Sequence, residues 1–351
     1  MAHPRLLHMG LLLATACFAV LGMCVGSTGL DNLAAALLSP GHDASAYALA
    51  QQIVLDIRLP RTLGAWAAGA LLGLAGAMAQ GLFRNPLADP FLLGSASGAS
   101  LGVALALAAM SSMSGSAYML VSLSGGASAG GWLLRLGLTG SAFLGAVLAV
   151  LLTIVLSRGV QHTMRLLLAG VVVGVVLGAL TQLVLLMWPD SLQTMQAFLL
   201  GSTSFVGWAS FGLMAVVWLV CAALAVMLAK VLDGLSLGES TAVSLGLPLR
   251  SMRAALVAVL ALATAAAVAQ TGLIAFVGLA APHLVRSMAR VKHAQLMLLS
   301  SLVGGLLLMA ADTAARWLVA PQELPVGVLT AVLGGGYLLW LMRGNSAPTQ
   351  A

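Results

Sequence analysis

Charged residues are scarce in this sequence. Only 15 Lys and Arg and 9 Asp and Glu side chains are present among 351 residues, which is 7% of the chain. A water-soluble domain of this length has a surface that needs far more charge than this. The scarcity therefore excludes water as the main solvent of the folded chain.

Motifs of several enzyme and cofactor-binding classes are also missing. The two lysines, Lys230 and Lys292, do not follow a GxxxxG sequence, so the chain has no P-loop and is not expected to hydrolyse ATP itself. The six histidines form no HExxH motif and no pair with acids. Cys17, Cys24 and Cys221 lie in apolar runs without CxxC spacing. We expect no catalytic site, disulfide framework, bound metal or resident cofactor.

Long apolar runs dominate what is present. Hydrophobic residues make up 61% of the chain, and the mean hydropathy is +1.08. The runs do not alternate as barrel strands do, so helices must satisfy the backbone in lipid. We predict an all-α polytopic membrane protein with a single transmembrane domain, residues 1–351, of about ten helices. The ten runs are 10–27, 62–82, 92–110, 138–157, 166–188, 206–229, 254–270, 272–285, 294–311 and 326–342, and the eighth is the shortest.

The distribution of basic residues predicts the topology. With the N-terminus inside, eleven basic residues fall in cytoplasmic positions: Arg5, Arg84, Arg158, Arg165, Lys230, Arg250, Arg253, Arg286, Arg290, Lys292 and Arg343. The four on the outside are Arg58, Arg61, Arg135 and Arg316. This split follows the positive-inside rule and predicts that both termini are cytoplasmic. It also explains the net charge of +6 without a nucleic-acid partner. The first run also fits a cleavable signal peptide, but the charge split favours its retention as a helix.

One polar segment, SLGESTAVSLGLPL at 236–249, interrupts the apolar pattern. Ser236 and Glu239 have the spacing of a capping box, and Gly246 and Pro248 supply a stop signal. We predict a cytoplasmic helix of about two turns between the sixth and seventh crossings. Such a helix is too short to be stable alone. It either packs against another protein or serves as a connector at the membrane surface.

Several segments together resemble one family. In chain order they are IRLPRTLGAWAAGALLGLAGAMAQGLFRNPLADPFLLGSASGAS, RLLLAGV, LGESTAVSLGLPL, QTGLIAFVGLAAPHLVR and ADTAARWLVAPQELPVGVLTAVLGG. In this combination and order the chain after about residue 50 resembles the FecCD-type permease subunits of ATP-binding-cassette (ABC) importers for iron chelates, haem and cobalamin.

The resemblance implies the fold of a type II ABC importer permease in a bacterial inner membrane. It implies a homodimer, two cytoplasmic ATPase subunits that bind ATP and Mg, and a periplasmic binding protein that delivers the cargo. The segment 236–249 then becomes the coupling helix that contacts the ATPase. The residues that match this role are Gly238, Glu239, Ala242, Leu245, Gly246 and Pro248.

The resemblance also assigns a docking role on the periplasmic side. Arg58, Arg61 and Arg316 match arginines that pair with acidic residues of the binding protein, and such rim charges mainly steer docking. The alternative is local pairing of Arg58 with Asp56 and of Arg316 with Asp312.

Two segments are expected to form the inner gate. In RNPLADP, residues 84–90, two prolines prevent a continuous helix, and Asn85 and Leu87 match gate positions. A tight turn is the alternative. The second element is the loop at His162, Thr163 and Met164, where His162 and Met164 depart from the small hydroxyl residues of relatives. Because His and Met are haem-iron ligand types, a transient contact with haem is a hypothesis.

The cargo pathway and the cargo are the least defined. Thr181 and Gln182 in the fifth crossing are the polar candidates for the pathway. An ion-coupled secondary transporter is a rival, but no carboxylate lies at the middle of an apolar run. An iron chelate, either haem or a ferric siderophore, is the expected cargo, and cobalamin is the alternative.

Overall fold

The structure is a computed structural model that describes residues 4–26, 44–112, 129–157, 163–244, 246 and 248–344. These residues form helices joined by turns, with no strand among them. The helices are α1 Pro4–Cys24, α2 Ala44–Gln52, α3 Leu59–Phe83, α4 Ser95–Ser112, α5 Ala129–Leu156, α6 Thr163–Met187, α7 Leu192–Leu200, α8 Trp208–Ser236, α9 Glu239–Ser244, α10 Leu249–Thr271, α11 Val277–Met288, α12 His293–Trp317 and α13 Val326–Gly344. The predicted all-α class is confirmed.

Eight helical segments of the described chain are long and apolar enough to cross a membrane. They are Leu7–Cys24, Tyr47–Phe83, Ser95–Ser112, Gly137–Leu156, Met164–Met187, Trp208–Ser236, Leu249–Thr271 and His293–Trp317. A shorter apolar stretch, Val326–Leu339, lies in α13. These nine segments correspond to nine of the ten predicted runs.

The remaining run, 272–285, is not a full-length helix. Its helix α11 has 12 residues, so it is about 18 Å long against about 30 Å of hydrocarbon. Residues 272–276 are not helical, and Phe276 has a positive φ of 69°. The predicted bounds are therefore wrong here. Neighbouring protein covers this irregular backbone, since the N–H of Leu273 donates to the carbonyl of Phe198 at 3.1 Å.

Helix α3 is the centre of the bundle and is buried along nearly its whole length. It packs against α8, α10, α11 and α12. Small residues allow the close approach: a Cβ at Gly73 would lie 2.2 Å from the carbonyl oxygen of Ser300 in α12, and one at Gly76 only 1.7 Å from that of Gly278 in α11. Gly73 and Gly76 therefore allow the backbones of α11 and α12 to approach α3 closely.

The bundle has two ends. One holds Arg58, Arg61 and Arg316 and is called the arginine face; the other holds α9 and is called the short-helix face. Of the basic residues predicted to be inside, eight described ones lie at the short-helix face: Arg84, Arg165, Lys230, Arg250, Arg253, Arg286, Arg290 and Lys292. Which side of the membrane each face meets stays a prediction.

Candidate functional site

A buried cluster of charges lies at the arginine face around Asp312. This carboxylate is fully buried, and its Oδ1 atom accepts from Nε of Arg61 at 3.1 Å and from the hydroxyl of Thr203. Its Oδ2 atom forms an ion pair with Nη2 of Arg316 at 2.8 Å. A buried carboxylate is stable only with such partners. Asp312 thus joins α3, α12 and the segment before α8.

Arg61 lies between two carboxylates. While its Nε bonds to Asp312, its Nη1 donates to both carboxylate oxygens of Glu323, at 3.1 and 2.9 Å. The hydroxyl of Ser204 also donates to Glu323, at 3.1 Å. The Glu323 side chain remains 28% exposed, whereas that of Arg61 is 10% exposed. Arg61 is therefore reached from solvent mainly past Glu323.

The other two arginines hold the end of α1. Nη1 of Arg58 donates to the carbonyl of Cys24 at 2.9 Å, and Nη1 of Arg316 donates to those of Gly22 and Val25, both at 2.8 Å. The last carbonyls of a helix lack partners within the helix, so they are available to such donors. These contacts fasten α1 to α3 and α12.

The predicted docking arginines are thus engaged inside the chain. Arg58, Arg61 and Arg316 are 5%, 8% and 2% exposed, and the local pairing of Arg316 with Asp312 is present. Their docking role stays a prediction. Sequence reasoning did not predict that Asp312 binds Arg61, Arg316 and Thr203, or that Glu323 binds Arg61. The one available signal was the spacing of four residues between Asp312 and Arg316.

The predicted short helix is present, but it starts later than expected. α9 covers Glu239–Ser244, and Ser236 is the last residue of α8, where its hydroxyl donates to the carbonyl of Asp233 at 2.6 Å. The Glu239 carboxylate instead accepts from Nη2 of Arg253 in α10 at 2.5 Å. The capping box of Ser236 and Glu239 is therefore wrong. The chain turns at Gly238, whose φ is +113°, and this separates the two side chains.

The residues predicted to couple to an ATPase differ in exposure. Glu239, Gly246 and Pro248 are exposed, Gly238 is partly buried, and Leu245 lies outside the described residues. Ala242 is fully buried, so it packs α9 onto the bundle. The exposed apolar side chains here are Leu237 and Val243, at 66% and 61%. The sequence analysis did not single out these two as contacts.

A second contact ties the short-helix face together. His293 Nδ1 lies 2.7 Å from Oδ1 of Asp233, and the His293 backbone N–H donates to the same oxygen at 3.2 Å. This joins the end of α8 to the start of α12. This contact links α8 to α12, and the Glu239–Arg253 pair links α9 to α10.

The predicted gate segment forms a tight turn after α3. Arg84 has a left-handed φ of 48°, and Oδ1 of Asn85 accepts from the N–H of Leu87 at 2.9 Å. Leu87 is 59% exposed. The next turn, Pro90–Leu93, is capped by Asp89, whose Oδ1 accepts from the N–H of Phe91 at 2.8 Å. Burial raises the pKa of Asp89 to about 6, although the Phe91 N–H acts against this.

The turn Pro90–Leu93 lies between two helices. Oγ1 of Thr153 in α5 donates to the carbonyl of Leu93 at 3.0 Å, and a Cβ at Gly170 in α6 would lie 2.0 Å from the carbonyl oxygen of Leu92. The turn that follows the first gate segment is therefore packed against α6, whereas Asn85 and Leu87 are exposed. The second gate segment lies at the start of α6. Thr163 is the first residue of that helix and Met164 is 79% exposed, whereas His162 lies outside the described residues.

The two predicted pathway residues lie on different faces of α6. Thr181 is 4% exposed, and its hydroxyl donates to the carbonyl of Leu177 at 2.8 Å, so it faces its own helix and the bundle. Gln182 is exposed. Of the two, only Gln182 is accessible in the single chain, and its role in a pathway stays a prediction.

Comparison with known proteins places these features in a family. The FecCD transport family matches residues 11–344. The haemin transport system permease protein HmuU of Yersinia pestis is 37% identical over 292 residues, which cover 83% of each chain. The vitamin B12 import system permease protein BtuC of Salmonella paratyphi A is 34% identical over 342 residues, 96% of this chain and 93% of the relative.

Solved structures agree with this assignment. An inward-facing structure described as a metal-chelate-type ABC transporter has a TM-score of 0.81 and 28% identity, and the match covers 97% of this chain and all of that one. PsaBC from Streptococcus pneumoniae, at 16% identity and a TM-score of 0.54, shares the fold alone. Permeases of this family are not enzymes and work with separate ATPase and substrate-binding components. This chain therefore belongs to the FecCD transport family and is a membrane-spanning permease subunit of an ABC importer.

Proposed function

We propose that this permease moves an iron chelate, either haem or a ferric siderophore, from the periplasm to the cytoplasm across a bacterial inner membrane. The observation that carries the cargo assignment is the 37% identity to a haemin permease over 83% of the chain. Cobalamin is the second candidate, because a vitamin B12 permease is 34% identical over 96% of the chain.

The functional unit in this proposal is a homodimer with two ATPase subunits and one periplasmic binding protein. The short-helix face is cytoplasmic, as are both termini, and its excess of basic residues supports this orientation. The arginine face then receives the binding protein. Its partly exposed Glu323, bound to Arg61, lies where an incoming acidic side chain would compete for that guanidinium group.

The contact with the ATPase in this proposal is α9. Three observations support it: α9 is only six residues long, it stands at the surface of the short-helix face, and it presents the exposed apolar side chain of Val243. The Glu239–Arg253 pair anchors it to α10, so a displacement of α9 is passed to a membrane helix. The exposed turn at Asn85 and Leu87, next in the chain to the turn Pro90–Leu93 that packs on α6, is the proposed gate.

Reconstitution with the cognate ATPase and binding protein in sealed vesicles tests the proposal. Haem, a ferric siderophore and cobalamin are compared side by side for stimulation of ATP hydrolysis and for uptake, with a hydrolysis-deficient ATPase as the control. We expect an iron chelate to stimulate both activities. Stimulation by cobalamin alone would establish the second candidate, and uptake driven by an ion gradient without the ATPase would contradict both.

A further inference from the structure

A basic pocket lies at the short-helix face between α11 and α12. It has a volume of about 530 Å³ and is formed by the end of α11, the linker 289–292 and the first turn of α12. The pocket is a shallow depression that is largely open to solvent. The polar residues of its lining are all basic: Arg286, Arg290, Lys292 and His293.

The charge of this pocket is largely uncompensated. Among the described residues, no Asp or Glu lines it, and the carboxylate that contacts its wall, that of Asp233, bonds to His293. Arg290 and Lys292 are exposed, and neither forms an ion pair with another described residue. Arg286 donates to Oε1 of the buried Gln80, which fixes one side of its guanidinium group. Three arginine or lysine charges therefore converge on one cavity.

A buried apolar cluster connects the pocket to α1. Ala289 and Leu296, which line it, pack with Leu7 and Leu11 of α1. The same helix exposes Met9, Leu12 and Leu13, at 59%, 55% and 65%, on a segment suited to cross the membrane. The pocket is thus placed where the ends of membrane helices meet water, with lipid-facing apolar surface beside it.

We propose that this pocket binds the phosphate-bearing headgroup of an anionic phospholipid, whose acyl chains lie against α1. Basic residues supply the counter-charge for the phosphate. The exposed side chains of Met9, Leu12 and Leu13 in α1 offer apolar surface to the acyl chains, which a free phosphate lacks. Each basic residue near a membrane surface contributes enough attraction to change affinity for an anionic lipid about fivefold. Removal of two of the charges should lower it about 25-fold.

The test compares two variants of the full-length chain with the same change in charge. Arg290→Gln combined with Lys292→Gln removes the two exposed pocket residues. The control, Lys230→Gln combined with Arg250→Gln, removes two exposed basic residues of the same face outside the pocket. Native mass spectrometry then counts the phosphatidylglycerol and phosphatidylcholine molecules, with identical acyl chains, that remain bound. We expect preferential retention of phosphatidylglycerol in the wild type and the control, and its loss in the pocket variant.

Two further arms identify the source of the phosphate and the place of binding. Inorganic phosphate at millimolar concentration should not displace phosphatidylglycerol, and a photoreactive phosphatidylglycerol should label residues 286–296. Equal loss of lipid in both variants, displacement by inorganic phosphate, or labelling elsewhere would each overturn the proposal. The proposal would also be overturned if an added ATPase subunit occupied the pocket, which would appear as loss of lipid labelling at residues 286–296.

Discussion

The carboxylate of Glu239 lies 2.5 Å from Nη2 of Arg253, and this ion pair fastens the six-residue α9 to the base of α10. The two residues differ in their surroundings, since the Arg253 side chain is 4% exposed and that of Glu239 is 52% exposed. The pair therefore joins a surface helix to the buried part of a membrane helix.

Loss of this pair should uncouple transport from ATP hydrolysis. We expect Glu239→Gln to lower cargo uptake per ATP hydrolysed severalfold in reconstituted vesicles, because α9 then moves without α10. The exposed neighbour Ser240 provides the matched control as Ser240→Ala. If uptake per ATP is the same in both variants, the pair is not part of the coupling.

Removal of the Asp312 carboxylate should destabilise the chain strongly. Asp312→Asn leaves two buried guanidinium groups with too little negative charge, and breaking a buried pair in this way costs about 3–5 kcal/mol. Glu323→Gln, at the solvent edge of the same cluster, should cost less than about 1 kcal/mol. Thermal unfolding of both variants in nanodiscs measures the difference. Similar melting temperatures would contradict the central role of Asp312.

The partial exposure of Glu323 leads to a prediction for docking. If a binding protein pairs an acidic residue with Arg61, Glu323 competes with it for Nη1. Glu323→Gln should therefore raise the affinity of the binding protein for the permease about two- to fivefold, which corresponds to the free energy of an exposed ion pair. Titration of the binding protein onto the permease in nanodiscs, at low and high salt, measures this. Unchanged affinity at low salt would argue against Arg61 as a docking residue.

Asp89 should make stability dependent on pH. Its pKa of about 6 exceeds the ordinary value of 3.8, so the folded chain binds this proton more tightly than the unfolded chain. The free energy of unfolding should therefore fall as pH rises from about 4 to above 6, by at most about 3 kcal/mol. Asp89→Asn keeps an acceptor for the Phe91 N–H and removes the titration.

The comparison is made between wild type and Asp89→Asn. Melting temperatures of both proteins are measured at pH 5 and at pH 7.5. We expect the melting temperature of the variant, relative to that of wild type, to be higher at pH 7.5 than at pH 5. A difference between the two proteins that is independent of pH would show that Asp89 titrates normally.

Close helix packing at Gly76 gives a further structural test. A Cβ there would lie 1.7 Å from the carbonyl oxygen of Gly278, so Gly76→Ala must push α3 and α11 apart, at about 1–3 kcal/mol. Gly212 in α8 has open space around the same position, and Gly212→Ala should be neutral or slightly stabilising. Melting temperatures in nanodiscs separate the two. Equal effects would exclude tight packing at Gly76.

Length and composition were sufficient to predict most of the fold. A run such as 166–188 has to be a helix because lipid offers its backbone no other partner, and α6 is indeed Thr163–Met187. The run 272–285 was less well predicted. Its apolar composition does not reveal that the Leu273 N–H bonds to the carbonyl of Phe198 in α7, because the two residues are distant in sequence.

The sites were predicted unevenly for the same reason. The existence of α9 followed from local polarity and stop signals, but its start did not, since the turn at Gly238 gave Ser236 and Glu239 other partners. The cluster around Asp312 draws on Arg61, Thr203 and Arg316, and two of these are more than 100 positions away. Only the folded chain brings them together.

The helical segment Tyr47–Phe83, in which the π-helical turns Ile53–Arg58 join α2 to α3, has a mechanical consequence for the arginine face. Its 37 residues extend about 55 Å, well beyond the 30 Å or so of hydrocarbon even when a helix is steeply tilted. Where the axis runs straight through the π-helical turns, the residues before Leu59 project past the lipid tails and form a raised edge beside Arg61. A soluble partner that docks on this face has to fit against that edge. The edge therefore restricts the orientations in which the partner can bind.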